Sequence, residues 1–134
     1  MESTASPAEL TVLGWSVVLL LLQVFAQAFA TYDLGVRYLV GPRDEDRGPA
    51  NVLAGRLSRA LRNLLETYPA FVALALALLV TGKAGGIAAT GAWIWLIART
   101  AYVLAYAAGV PVLRTMLWLA SILGLALMLL RLMT

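Results

Sequence analysis

The sequence contains no cysteine and no histidine, and both absences narrow the chemistry that this chain can perform. Without cysteine it can form no disulfide, no thiolate metal site and no cysteine nucleophile of its own. Without histidine it lacks the commonest protein metal ligand and the usual general base at neutral pH. We therefore expect no metal site, and any thiol chemistry would need a thiol from another molecule.

Charge is also scarce, because only 13% of the 134 residues are Asp, Glu, Lys or Arg, while 62% are hydrophobic. Soluble domains are about a quarter charged and about half apolar. A soluble fold of this length could not bury so much apolar surface, whereas a bilayer can cover it. The composition predicts an integral membrane protein with the lipid bilayer as its partner, and we expect no nucleic-acid partner.

Four apolar segments are long enough to cross a bilayer, which takes about 20 predominantly apolar residues. The predicted helices are 10–32, 52–81, 87–108 and 112–133. Pro69 lies inside the second segment and predicts a kink near Leu65. Short connections after the second and third helices imply antiparallel neighbours. We therefore predict one domain over 1–134, an all-α up-down bundle of four transmembrane helices.

Lysine and arginine are divided unequally between the two ends of these helices. The end with the first and third connections carries Arg37, Arg43, Arg47, Arg56 and Arg114. The opposite end carries only Lys83 and Arg131. Because positive residues concentrate on the cytoplasmic side, the arginine-rich end is predicted to face the cytoplasm, with both termini on the non-cytoplasmic side.

Helix two carries a polar stripe in the arginine-rich half of its span. Arg59, Asn63 and Glu66 are spaced i, i+4, i+7 and share one helix face, and Arg62 can pair with Glu66 at i+4. Ionisable groups at such depths usually face a bundle interior or a water-filled cavity. Alternatively, the arginines extend to lipid headgroups and Glu66 neutralises one of them. Asn63 favours a ligand site, because an array of headgroup anchors has no use for an amide.

Helix three repeats this pattern, since Arg99, Tyr102 and Tyr106 are spaced i, i+3, i+7 on one face. Arg114 opens helix four, with Trp118 one turn further on. Taken singly, the tyrosines could be interfacial or core residues and Arg114 a membrane anchor. Because both stripes lie toward the same membrane face, we predict that they meet in one cavity.

These residues resemble the pattern of the MAPEG family, the membrane-associated proteins of eicosanoid and glutathione metabolism. The helix-two signature of that family is similar to Arg59-x-x-x-Asn63-x-x-Glu66-x-x-Pro69. The end of its helix three and the start of helix four are similar to Arg99-x-x-Tyr102-x-x-x-Tyr106, then Gly109 and Arg114. The loop Gly41-Pro42-Arg43-Asp44-Glu45 resembles that of bacterial members, which implies a bacterial inner membrane.

The resemblance implies a homotrimer of four-helix protomers that binds glutathione between neighbours near the cytoplasmic face. By position, the expected glutathione-binding residues are Arg59, Arg62, Asn63, Glu66, Arg99, Tyr102 and Tyr106. Arg114 matches the arginine that stabilises the glutathione thiolate in leukotriene-forming members. Human members also carry arginines at the end of helix one, where this sequence has Asp33, Leu34 and Gly35.

The function so implied is a glutathione-dependent transferase or peroxidase acting on a lipophilic small molecule that enters from the lipid beside helices one and four. Arginines suit the carboxylates of glutathione, a carboxylate suits its ammonium, and a guanidinium favours a thiolate. A non-enzymatic accessory or assembly subunit that keeps the fold is the alternative. A small multidrug exporter would need a membrane-embedded carboxylate in helix one, and 10–32 contains none.

Overall fold

The computed structural model describes residues 6–31, 41 and 51–134, and the statements that follow concern these residues. They form four α-helices: α1 (Ala8–Ala30), α2 (Val52–Val80), α3 (Ile87–Ala108) and α4 (Pro111–Met133). Each helix is long and apolar enough to cross a membrane. The predicted all-α architecture of four spanning helices is therefore confirmed. Three features singled out from the sequence lie outside the described residues. They are positions 33–35, where human members of the family carry arginines, the loop residues 42–45, and the arginines Arg37 and Arg47.

The two central helices of the bundle are α2 and α3. Helix α1 packs on α2 and α3, α4 also packs on both, and the described parts of α1 and α4 do not touch. Residues 81–86 connect α2 to α3, and residues 109–110 connect α3 to α4, so these neighbours run antiparallel. Helix α2 continues through Pro69 as one element. The kink near Leu65 stays a prediction.

An aromatic cluster fastens three helices near the middle of the bundle. The fully buried rings of Phe71 in α2 and Trp95 in α3 stack with centroids 3.9 Å apart and planes 3° apart. Tyr68 packs against both rings, at centroid distances of 6.3 Å and 5.9 Å. The hydroxyls of Tyr68 and Ser16 of α1 share a hydrogen bond of 2.8 Å. The cluster thus fixes the relative depth of α1, α2 and α3.

Polar contacts close the end of the bundle opposite the arginine-rich end. Helix α1 begins at Ala8, earlier than predicted, and so includes the fully buried Glu9. Its Oε1 accepts a hydrogen bond from the Gly85 backbone N–H at 2.7 Å, and Lys83 Nζ donates to the Leu132 carbonyl oxygen at 2.9 Å. Helix one therefore contains a carboxylate that lies outside the predicted span 10–32, and this corrects one premise of the sequence argument against an exporter. The Glu9 carboxylate lies in the first turn of α1 and binds the connection before α3.

Two glycines let α3 and α4 approach closely. A Cβ atom built on Gly91 would lie 2.5 Å from the Gly124 carbonyl oxygen, and one built on Gly124 would lie 2.5 Å from the Gly91 carbonyl oxygen. Such contacts between small residues are a common means of helix packing in membranes, where van der Waals contact replaces the hydrophobic effect. The position of α4 against α3 thus depends on the absence of a side chain at both sites.

We expect Gly91→Ala to destabilise the bundle by about 1–3 kcal/mol, because the new methyl group would overlap the Gly124 carbonyl. Gly14→Ala is the matched control, since a Cβ on this α1 glycine meets no atom within 4 Å. The control should be neutral or slightly stabilising, because alanine favours a helix more than glycine does. Unfolding in detergent micelles measures both variants. Equal stability of the two variants would contradict the close approach at Gly91.

Candidate functional site

A polar cavity of about 330 Å³ lies between α2, α3 and α4 at the arginine-rich end. Its lining consists of Arg59, Arg62, Asn63, Glu66, Tyr102, Tyr106, Arg114, Thr115 and Trp118. The polar stripes of α2 and α3 therefore meet, and the first turns of α4 close the third side. Every residue singled out from the sequence as a site residue lines this cavity except Arg99.

Tyr106 joins the arginines of two helices. Arg59 Nε donates a hydrogen bond to the Tyr106 hydroxyl at 3.0 Å, and the Arg114 guanidinium carbon lies 4.7 Å from the centre of the Tyr106 ring. Tyr102 contacts Tyr106 edge-on, with centroids 5.7 Å apart and an angle of 64°. A ring attracts cations through its quadrupole without neutralising them. Tyr106 thus holds Arg59 and Arg114 near each other while their charges stay available to an anion.

Arg99 lies behind the cavity wall. Its side chain is only 1% exposed, and its guanidinium carbon lies 4.4 Å from the centre of the Tyr102 ring. Arg99 Nη1 donates a hydrogen bond of 2.8 Å to Asn63 Oδ1. Helical spacing places Arg99 on the same face as the tyrosines but does not give its depth. The structure shows that it supports two lining residues instead of lining the cavity.

Glu66 is the one carboxylate in the cavity lining, against three guanidinium groups. In the part of the chain that the structure describes, its carboxylate makes no hydrogen bond or ion pair, so the i+4 pair that the spacing allows with Arg62 is not formed. The side chains of Arg59, Arg62 and Glu66 are also exposed in the single chain. The cavity therefore suits a ligand that carries more negative groups than positive ones.

A smaller lobe of about 210 Å³ adjoins the cavity and shares Arg59, Tyr106 and Arg114 with it. Arg56 lines this lobe, and its Nη1 donates a hydrogen bond of 3.1 Å to the Ala107 carbonyl oxygen. The carbonyls in the last turn of a helix lack intrahelical partners, so Arg56 caps the end of α3.

The turn that Arg56 caps ends at a glycine. Gly109 has a φ of 77°, and a Cβ there would lie 2.8 Å from the guanidinium carbon of Arg56. Glycine adopts this left-handed conformation without the strain that a side chain would cause. Gly109 and Arg56 together set the direction in which the chain enters α4 and presents Arg114.

An apolar groove of about 320 Å³ runs along α4 beside the polar cavity, lined by Pro111, Val112, Arg114, Thr115, Met116 and Leu119. It shares Arg114 and Thr115 with the cavity. Arg114 therefore lies at the border between a charged site and an apolar surface. A second apolar groove, between α1 and α3, includes Trp15 and Trp93 and shares no lining residue with the cavity.

Sequence reasoning did not assign Thr115 or Trp118 to the site. Trp118 follows Arg114 by four residues, so the same helical spacing that revealed the other stripes could have placed it on the cavity face. Thr115 adjoins Arg114 in sequence, and no pattern distinguishes it from the surrounding residues of α4. Only the packing of α4 against α2 and α3 shows that it faces the cavity.

The fold and the cavity define a class: integral membrane proteins of four helices with a cationic pocket at one end of the bundle. The family model for the MAPEG family matches residues 12–134 of this chain. The chain therefore belongs to the MAPEG family, and the resemblance found in its sequence is confirmed. No curated protein sequence matches it. The family contains glutathione transferases and peroxidases as well as non-enzymatic members.

We expect Gly109→Ala to destabilise the protein by about 1–2 kcal/mol through its left-handed backbone, and by about 1 kcal/mol more through loss of the Arg56–Ala107 hydrogen bond. Gly82→Ala is the matched control, because Gly82 has a φ of 70° and a Cβ there meets nothing within 4 Å. In an Arg56→Ala background, Gly109→Ala should cost no more than Gly82→Ala does. Unfolding in detergent measures each cost, and an unchanged cost in that background would show that Arg56 does not hold the turn.

Proposed function

We propose that this protein is a glutathione-dependent membrane transferase or peroxidase and that glutathione binds in the cavity between α2, α3 and α4. The observation that carries the proposal is the charge of the lining, where three guanidinium groups face the same space as one carboxylate that has no partner among the described residues. Glutathione carries two carboxylates and one ammonium group. Its charges therefore complement those of the lining group by group.

In this proposal Arg59 and Arg62 bind the carboxylates of glutathione, and Glu66 binds its ammonium. Arginine suits this role because its planar guanidinium donates two parallel hydrogen bonds to a carboxylate. Tyr102 and Tyr106 form the wall between these groups and Arg114. A ligand held in this way has its cysteine side chain free to approach the first turn of α4.

Arg114 is proposed to stabilise the glutathione thiolate. A neighbouring cation favours the charged form of a thiol, and the thiolate is the nucleophile. The start of α4 adds unpaired backbone N–H groups and a partial positive charge on the same side. The lipophilic acceptor would lie in the apolar groove along α4, which meets the cavity at Arg114. In a transferase reaction, the thiolate sulfur forms a bond to an electrophilic carbon of that acceptor, whose leaving group departs with the bonding electrons.

We further propose a homotrimer in a bacterial inner membrane, with the arginine-rich end in the cytoplasm and the termini on the other side. The exposed side chains of Arg59, Arg62 and Glu66 support assembly, because they lie on a helix apolar enough to span the bilayer. Charged groups at such a position are stable when they face other protein or water. A neighbouring protomer against α2 would cover them and enclose the cavity.

The trimer predicts a particle mass of three times 14.3 kDa for the protein component in detergent. Light scattering with correction for bound detergent, or native mass spectrometry, measures this value. A stable monomer or dimer of the wild-type protein across several detergents would contradict the trimer.

We expect purified protein to bind glutathione, and the variants Arg59→Ala and Arg114→Ala to separate binding from activation. Arg59→Ala should weaken binding by about ten- to a hundredfold, because a charge-assisted hydrogen bond is lost. Arg114→Ala should leave binding largely intact and reduce turnover by about a hundredfold, the scale for losing one preorganised charge. Calorimetry measures the affinity, and assays with a panel of lipophilic electrophiles and hydroperoxides measure turnover.

The pH dependence of thiolate ultraviolet absorbance tests the role of Arg114 directly. Free thiols ionise near a pKa of about 8.5, and Arg114 should lower the pKa of the bound glutathione thiol. Arg131→Ala is a suitable control, because Arg131 lies at the opposite end of α4. An equal pKa of the bound thiol in wild type and Arg114→Ala would remove this role from Arg114. Binding without any turnover would instead favour a non-enzymatic subunit.

A further inference from the structure

Asn63 is placed between the buried Arg99 and the open cavity. A guanidinium group has N–H donors and no acceptor, so the Asn63 atom that faces Arg99 Nη1 at 2.8 Å is the amide oxygen. The N–H donors of Arg99 thereby fix the orientation of the Asn63 side-chain amide. Among the described residues, the amide nitrogen Nδ2 of Asn63 has no hydrogen-bond partner, and the side chain lines the cavity.

From this geometry we infer that Arg99 is a positioning residue, which makes Asn63 a hydrogen-bond donor to a carboxylate of the ligand. Because Oδ1 is turned toward the buried Arg99, the N–H groups of Nδ2 are the ones turned toward a molecule in the cavity. Asn63 therefore donates to an acceptor of the ligand, and Glu66 is the lining group that suits the ligand's ammonium. The orientation of Asn63 follows from its contact with Arg99 and does not depend on the proposed function. The identity of the acceptor as a glutathione carboxylate rests on the proposed function.

A buried arginine orients the Asn63 amide more strictly than a neutral side chain would. The Nε and Nη2 atoms of Arg99 are buried without a partner among the described residues, which destabilises the fold. Tyr102 offsets part of that penalty through the contact of its ring with the guanidinium. A neutral amide at this position could donate or accept and would allow Asn63 to turn over. Arg99 can only donate, so a single orientation of Asn63 remains.

Nitrogen-15 labelling of asparagine tests the orientation without any ligand, because the chain contains only Asn51 and Asn63. The side-chain amide of Asn51 caps α2 by accepting from the Ala54 N–H at 2.8 Å and is the internal control. Arg99→Ala should shift the Asn63 side-chain NH₂ signals and speed their exchange with water, and leave those of Asn51 unchanged. Arg99→Lys, which also only donates, should restore part of the wild-type spectrum. Asn63 signals that do not change in Arg99→Ala would overturn the inference.

Binding of S-hexylglutathione, which cannot react, tests whether Arg99 acts through Asn63. Asn63→Ala and Arg99→Gln should each weaken binding, the former by about tenfold, the scale of one hydrogen bond to a charged group. The double variant should bind within about twofold of Asn63→Ala, because the two residues act in series. Additive losses would mean that Arg99 contributes independently, and would overturn its role as a positioning residue for Asn63.

Asn63→Asp tests the polarity of recognition. The aspartate keeps its oxygen toward Arg99 and should fold, but it presents an acceptor to the ligand, so glutathione binding should fall. Two glutathione analogues, each with a different carboxylate converted to a carboxamide, can donate to that aspartate. One of them should bind Asn63→Asp about tenfold more tightly than glutathione binds it. If neither does, Asn63 does not recognise a carboxylate. If the wild-type protein binds no glutathione at all, the proposed function and the carboxylate assignment both fail. The orientation of Asn63 is then still tested by the nitrogen-15 spectra.

Discussion

The buried guanidinium of Arg99 is the interaction on which the arginine-rich end of this bundle depends. A charge in a spanning helix is destabilising unless protein groups surround it. Here the surrounding groups are the Asn63 amide from α2 and the Tyr102 ring from α3 itself. Because both of these groups also line the cavity, the requirement to accommodate one charge shapes the wall of the site. The groups that accommodate Arg99 are therefore also part of the cavity wall.

The charged side chains at the two ends of the bundle have different surroundings. At the far end, Glu9 and Lys83 bind backbone groups of the connection before α3 and of the last turns of α4, which closes that end. At the arginine-rich end, Glu66 has no hydrogen bond or ion pair among the described residues, and Arg59 is paired only with the hydroxyl and ring of Tyr106. The side chains of Arg59 and Glu66 that face the cavity are the ones that the proposed ligand would bind.

Arg114 gains its significance from its surroundings more than from its charge. It contacts the Tyr106 ring on the cavity side and borders the apolar groove of α4 on the other. The proposed reaction, between a charged, water-soluble thiol and a lipophilic molecule, requires a place where both environments meet. The turn at Gly109, held by Arg56, sets where α4 begins and so puts Arg114 at that border.

The sequence by itself determined the number and length of the helices, the membrane location, the family and most residues of the cavity. Hydrophobic runs give the spans, and the spacings of Arg59, Asn63 and Glu66, and of Tyr102 and Tyr106, give the face on which each stripe lies. The spacing does not give the rotation of a helix about its own axis relative to its neighbours, or the distance between neighbouring helices. Only the tertiary structure therefore decided that Arg99 stands behind the wall, that Thr115 lines the cavity, and that Glu9 is buried at the far end. The physical reason is that these outcomes depend on packing between helices, such as the contact of Gly91 with Gly124, and periodicity within one helix carries no information about it.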